Sequence, residues 1–472
     1  MKHVLLSILM AFYMCITVVM AQSDAPVSGS EIAYEPYSAT NPEISAEQYL
    51  ELETRCNDNS ARFIKASNVQ KSSASVSLGW PIKAASGFTD CEYHFIGAYV
   101  DHNAATGAVT DYNCESSTYD GHHGTDFAAW PFGFYKMENN YVEIIAAAAG
   151  TIVDKHDGEF DRNCAGNKLL ANYVIIQHTD GSRALYWHMK NTSVTTKAIG
   201  QQVAQGEYLG VIGSSGSSSG PHLHFEVWSG SAANTYVDPF AGTCNKINAT
   251  SWWANQRPHT EPAVVKASVH TTDVVFATCP ETGTITESNS FTVPFQGPGL
   301  APGYAKFYIY LREATVGTTV NLSILNPDAS VFASWTYPVT TYYKNTAYQW
   351  SKKLPTIPGD YTFQTDYNGK KCSSNFKISN STDLKSQFSL SEIKIFPIPI
   401  KETSTLKGEN IENGSYKITI QDIAGQILFC SEINIDNMSI NLDLPTKQLG
   451  AGYYLISVET GNKRIIRKVF KI

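Results

Sequence analysis

His222-Leu223-His224-Phe225-Glu226 decides the fold. Polar and apolar residues alternate through it, and its flanks carry β-branched and aromatic side chains, the pattern of a two-faced strand. Residues two apart on a strand project to one side. His222 and His224 therefore address a common point, while Leu223 and Phe225 face the other way. Upstream, His122-His123-Gly124-Thr125-Asp126 adds a histidine and a carboxylate, and His188 closes Leu185-Tyr186-Trp187-His188. Two imidazole nitrogens and a carboxylate oxygen form a ligand set suited to zinc, with a fourth position left open for chemistry.

On this reading His122, Asp126 and His224 hold one Zn2+ per chain. His188 and His222 lie beside it, as general base or as donors to a developing oxyanion. Gly124 lets the backbone bend so that His122 and Asp126 converge. His123 competes with His122 for the ligand role; the spacing to Gly124 favours His122 and leaves His123 exposed. His178 precedes a turn and reads as structural. His94, His102, His156, His259 and His270 have no partner pattern. Gly216-Ser217-Ser218-Ser219-Gly220 formally matches a serine-hydrolase elbow, but Pro221 and a strand follow where that motif requires a helix. It reads instead as a flexible rim to the cleft. No His-Glu-x-x-His occurs.

Around this core the chain of 472 residues has room for three domains. Lys2 and His3, the apolar run Val4–Val19 and the small-residue exit at Ala21 read as a cleaved Sec signal peptide, residues 1–21. No later stretch is apolar enough to span a bilayer. Residues 22–79 are polar, with a helix expected near Ser45–Cys56, and serve as a stalk or a propeptide. Residues 80–245 alternate strands and turns, with a hairpin at Thr179-Asp180-Gly181-Ser182, and predict a single antiparallel sheet with long loops. Residues 260–378 read as an Ig-like β-sandwich in which Trp335, Tyr337, Tyr342, Tyr343, Tyr348 and Trp350 are core and strand-pairing aromatics rather than a sugar platform. A linker (379–390) leads to a small β-sandwich (391–472). The fold class is mainly β. Eight cysteines remain after the signal, an even count suited to an oxidising compartment. Cys279 and Cys372 are placed to staple the sandwich, while Cys56 and Cys430 lack an evident partner. A net charge of −8 argues against nucleic acid.

The His122-x-Gly124-x-Asp126, His188 and His222-Leu223-His224-Phe225 set, together with Gly210-x-x-Gly213 and Gly220-Pro221, resembles the lysostaphin/LytM-type zinc endopeptidases, the β-lytic enzymes included. The resemblance covers roughly Trp80 to Asn245. It implies a lysostaphin-like antiparallel β-sheet catalytic domain, zinc on His122, Asp126 and His224, and catalytic assistance from His188 and His222. It also implies cleavage of peptide cross-links in peptidoglycan. An extracellular proteinase acting on glycine-rich, elastin-like proteins is the alternative within the enzyme class, and a non-catalytic surface adhesin the alternative outside it. Tyr119 and Tyr186 are the two candidates for a tyrosine near the oxyanion.

The last eighty residues resemble the type IX secretion C-terminal sorting domain, through Asp422-x-x-Gly425-Gln426, Leu449-Gly450-x-Gly452-Tyr453-Tyr454 and a basic ending. Phe396-Pro397-Ile398-Pro399 stands where Tyr-Pro-Asn-Pro is usual. The resemblance implies export through the type IX machinery to the cell surface or the medium, with no transmembrane segment in the mature chain.

Overall fold

The structure is a computed structural model describing residues 32–33, 43–64, 76–167, 169–283, 286–380, 393–409, 411, 413–436, 438–461 and 463–472. The expected signal peptide, most of the expected linker and much of the 22–79 segment lie outside the described residues. Strands dominate, as the alternation predicts. Most residues up to Ile378 form one compact unit, and most of those after it a second.

In the first unit an eight-stranded antiparallel sheet carries the histidines. Its order is His94–Ala98, Thr125–Ala129, His222–Trp228, Arg183–Trp187, Tyr173–Gln177, Gly150–His156 and Gln202–Val203, and Tyr236–Val237 pairs with the end of the His222 strand. The expected single sheet is joined by a second of three strands, Tyr208–Val211, Val142–Ile145 and Ile82–Ala84. The reason is burial. Leu223, Phe225 and Val227 on the back of the main sheet need a cover, and Ile82, Ile144 and Leu209 supply it in one shared core.

The opposite face, which carries His222, His224, Glu226 and Trp228, is partly covered by a helix, Ala46–Phe63. Ser45 caps it: Gln48 N–H donates to Ser45 Oγ at 3.2 Å and Ser45 N–H to Gln48 Oε1 at 2.8 Å. Such a reciprocal cap is worth about 1 kcal/mol and fixes the angle at which the chain enters the helix. Ile44, Leu52 and Cys56 bury themselves against Tyr173, Leu185, Trp187 and Trp228. Arg55 donates to Asp154 at 3.0 Å, and Arg183 donates to Asn57 at 2.7 Å.

The sandwich pairs a four-stranded sheet with a five-stranded one. Trp350 and Tyr348 are buried, with Trp335 5.8 Å from the former and Tyr337 4.2 Å from the latter, a strand-pairing core; Tyr343 is half-buried, and Tyr342, in the loop before its strand, is exposed instead of packed. The cysteine expectation is corrected here. Cys279 and Cys372 do not pair with each other. The bridges are Cys91–Cys372, Cys164–Cys279 and Cys114–Cys244, with sequence separations of 281, 115 and 130. Two of them bind the sandwich to the sheet domain, so the two fold as one unit rather than as beads on a string. Cys56 is a buried free thiol and Cys430 an exposed one.

The second unit has a three-stranded and a four-stranded sheet around its own core of Leu406, Ile418, Ile420, Ile456 and Val458. Among the described residues no helix is long and apolar enough to cross a membrane.

Candidate metal centre

The register of two strands assembles the site. His224 lies opposite Asp126, and His222 opposite Ala128, so all four share the helix-covered face. His122 arrives from the preceding loop. Asp101 shapes that loop by accepting from the backbone N–H of Asn103, Thr110 and Gly121 at 3.0–3.1 Å. The Cys114–Cys244 bridge ties it down.

His122 Nε2, Asp126 Oδ1 and His224 Nδ1 form a triangle with 3.1 Å sides. The outer nitrogens are committed elsewhere. His122 Nδ1 donates to the Tyr99 carbonyl at 2.6 Å, and His224 Nε2 faces Glu226 Oε2 at 3.3 Å. These partners set the tautomers and turn the inner nitrogens toward one point. Glu226 is itself held by Trp228 Nε1 at 2.7 Å.

His188 ends its strand with φ of 67°, a left-handed conformation uncommon outside glycine. Strand parity would put its ring on the back face, because its neighbour Trp187 sits opposite His224 on the front. The left-handed turn brings it round. Its Nδ1 donates to the Ser215 carbonyl at 2.6 Å, and His222 Nδ1 donates to the Gly220 carbonyl at 2.8 Å. Both rings therefore present Nε2 to the centre, with centroids 4.5 Å apart. Burial drives His222 down to about 3. Of the two tyrosines, Tyr186 is on the back face and its hydroxyl accepts from Ala147 N–H at 2.7 Å. Tyr119 stacks on His122 at 4.2 Å with a buried hydroxyl.

One residue in the centre was not legible from spacing. Glu43, two positions before the helix cap, is buried among these groups. Its carboxylate lies 2.6 Å from His224 Nδ1, 3.1 Å from His188 Nε2 and 3.3 Å from His222 Nε2. Burial pushes its carboxyl up, but the His224 and His188 imidazoles outweigh this and hold it well below the usual range. Tyr49, one helical turn on, donates to Glu226 Oε2 at 2.7 Å.

A metal ion fits this donor set. Glu43, His122, Asp126 and His224 each offer one ligand atom, all within 4.8 Å of one another. Two carboxylates and inward-facing nitrogens crowd a buried point, and Asp126 Oδ2 has no hydrogen-bond partner. Buried like charges cost several kcal/mol each unless a cation compensates them. Ligands about 2.0–2.2 Å from a tetrahedral ion stand about 3.3–3.6 Å apart, close to the observed triangle.

Three readings change. Gly124 has an ordinary φ, and what it supplies is space: a Cβ there would meet His224 Cε1 at 2.6 Å and Phe225 O at 2.9 Å. Gly124→Ala should displace a ligand ring and weaken metal affinity at least about tenfold, measurable by chelator competition. His123 is not exposed; it is half-buried and stacks on Tyr236 at 3.9 Å. The serine loop is no flexible rim. Ser214, Ser215, Ser217 and Ser218 are buried, Ser215 Oγ donates to the Met189 carbonyl at 2.8 Å, and Ser214 and Ser218 bond each other at 2.8 Å. His178 is structural, its Nδ1 donating to the Ala149 carbonyl at 2.9 Å.

Residues 120–239, which include all five site residues foreseen from the sequence, match Peptidase family M23. The chain carries a peptidase family M23 domain. Residues 394–471 match the secretion system C-terminal sorting domain. The chain is 36% identical over 93 residues to the cell division protein DipM of Caulobacter vibrioides, covering 19% of this chain and 14% of that protein. It is 33% identical over 105 residues to the peptidoglycan DD-endopeptidase ShyC of Vibrio cholerae, covering 22% and 19% respectively. The matched part thus spans less than a quarter of these relatives. Among solved structures, the catalytic domain of lysostaphin from Staphylococcus simulans aligns at 21% identity and a TM-score of 0.20, covering 30% of this chain and 85% of that one.

Proposed function

We propose that the chain is a secreted zinc endopeptidase that hydrolyses peptide bonds, peptidoglycan cross-links foremost, and that residues 22–79 are a propeptide holding it latent. One observation carries the catalytic reading: three candidate ligand atoms converge on a point that two more histidines face with their Nε2 atoms, both of which the Glu43 carboxylate now occupies. A purely structural metal site has no use for those two. Bound zinc would polarise the scissile carbonyl and acidify a water. His122, Asp126 and His224 would hold it, and Glu226 would keep the His224 ring in place. His188 Nε2 takes a proton from the attacking water. The proton that His188 takes from the water would then go to the leaving amine, and His222 Nε2, an acceptor while its Nδ1 donates to Gly220, stands beside His188 to share that relay. Tyr119 offers an O–H beside His122. Tyr119→Phe should lower kcat on the order of 10²-fold with the metal retained, as loss of an oxyanion donor does. A rate unchanged within twofold would remove Tyr119 from the chemistry.

The adhesin reading has less support, because nothing in binding requires His188 and His222. A protein target is the second reading, supported by an apolar pocket lined by Phe95, Trp130, Phe132 and Phe276. The sorting domain supports release to the surface or the medium through the type IX machinery, where either substrate is met. The distinguishing experiment incubates the metal-loaded chain, with and without chelator, with purified sacculi and with elastin. Chelator-sensitive release of new amines supports the peptidase; stoichiometric zinc without release from either substrate, even after cleavage between residues 64 and 76, overturns it.

A further inference from the structure

The catalytic sheet does not end at the metal centre. From Asp126 the same face continues to Ala128, one same-side step of about 7 Å along the strand. There it becomes apolar. Ala128, Phe95 and Trp130 form a floor, Pro221 stands at the side just before His222, and Phe132 and Phe276 close the walls. The cavity measures about 70 Å³.

Phe276 does not belong to the sheet domain. It comes from the segment following the first sandwich strand, Ala263–His270, and its ring stacks on Phe132 at 5.4 Å. The same segment is bolted to the loop beside the centre. Cys279 is bridged to Cys164, Arg162 donates to the Pro280 carbonyl, and the Arg162 guanidinium lies 4.8 Å from the Phe134 ring. The pocket is therefore preformed, and its far wall is the sandwich's contribution to the catalytic face.

We infer that this pocket is a specificity subsite for a bulky aliphatic or aromatic side chain, one or two residues from the scissile bond, and that the enzyme therefore takes polypeptides besides wall peptides. Three things point to that occupant. A peptide whose carbonyl lies at the metal centre advances about 3.3 Å per residue, so a neighbouring side chain reaches the pocket. The lining is aromatic and without a cation, and its one carboxylate, Glu281, disfavours acidic side chains. A stem-peptide alanine would fill little of it, while a leucine or phenylalanine would displace its water.

The inference rests on the peptidase reading, and one experiment separates the two. Quenched peptides with a central Gly-Gly, flanked on either side by Gly, Ala, Leu, Phe, Lys or Glu, are given to the full chain, unaltered and with Glu43→Ala. The expected profile favours Leu and Phe over Gly, Lys and Glu by at least about tenfold in kcat/KM on one side of the bond. Phe276→Ala, with its folding checked by thermal melting, should shrink that ratio. Chelator-sensitive cleavage with a flat profile in the wild-type sequence overturns the subsite and leaves the peptidase standing. No chelator-sensitive cleavage of any peptide or of sacculi, even after cleavage between residues 64 and 76, overturns both.

Discussion

Glu43→Ala in the full chain is expected to raise peptide hydrolysis on the order of 10²-fold and to speed loss of zinc to a chelator. In the native chain the Glu43 carboxylate reaches His224 and both flanking histidines at 2.6–3.3 Å, where the proposed function would put a substrate carbonyl and a water. On the proposed function it would act as an intramolecular competitor. A tethered group acts at an effective concentration in the millimolar range, about 10²–10³ above a micromolar intrinsic affinity, so only a small fraction of sites stays open. The tether is stiff as well as short, because the Ser45–Gln48 cap fixes the chain two residues on and the helix buries Leu52 and Cys56 on the sheet. Removing one carboxylate opens the metal position but leaves the helix in place. Cleavage between residues 64 and 76 should therefore activate further, and the two effects should be partly redundant in combination. Unchanged rate and unchanged zinc loss in Glu43→Ala would show that the contact does not restrain the site.

His188→Ala is expected to lower kcat by 10²–10⁴, the range typical of a lost general base, with KM and zinc stoichiometry nearly unchanged. The ligand triangle does not include His188, so metal content and activity should separate. His224→Ala should lose both together. His222→Ala is expected to resemble His188→Ala in kcat, since its ring presents Nε2 from the adjoining position. The double variant should cost less than the product of the singles, because the two rings serve one proton path. A His188→Ala protein that loses its zinc would move that residue from the chemistry to the ligand set.

How much of this was legible follows from which forces are local. Alternation through His222–Phe225 is local, and it placed His222 and His224 on one face and Leu223 and Phe225 on the other. The His122-x-Gly124-x-Asp126 cluster lay within five residues, so its convergence could be read, although the glycine answers to the His224 ring across the strand rather than to its own φ. His188 illustrates the limit. Strict periodicity would have sent it to the back of the sheet, and only the left-handed backbone at that residue returns it to the front. Glu43 marks a deeper limit. It sits in a polar stretch with no spacing relation to residues 79 or more positions away, and only tertiary packing of the helix behind it makes it part of the centre. The helix was legible at its start, expected near Ser45–Cys56, but it runs from Ala46 to Phe63, because the turn after Cys56 goes on packing and bonding against the sheet, as Asn59 does to the Val153 carbonyl. The disulfides were not. Sequence supplies cysteines but not distances, and the sandwich proved to be fastened to the catalytic sheet rather than stapled to itself.

The most direct measurement is amine release from purified sacculi and from elastin by the metal-loaded chain after cleavage between residues 64 and 76, followed with and without chelator and beside His188→Ala. The expected result is release that chelator abolishes, that zinc restores, and that His188→Ala lacks despite full zinc content. No release from either substrate by a folded chain holding one zinc would contradict it.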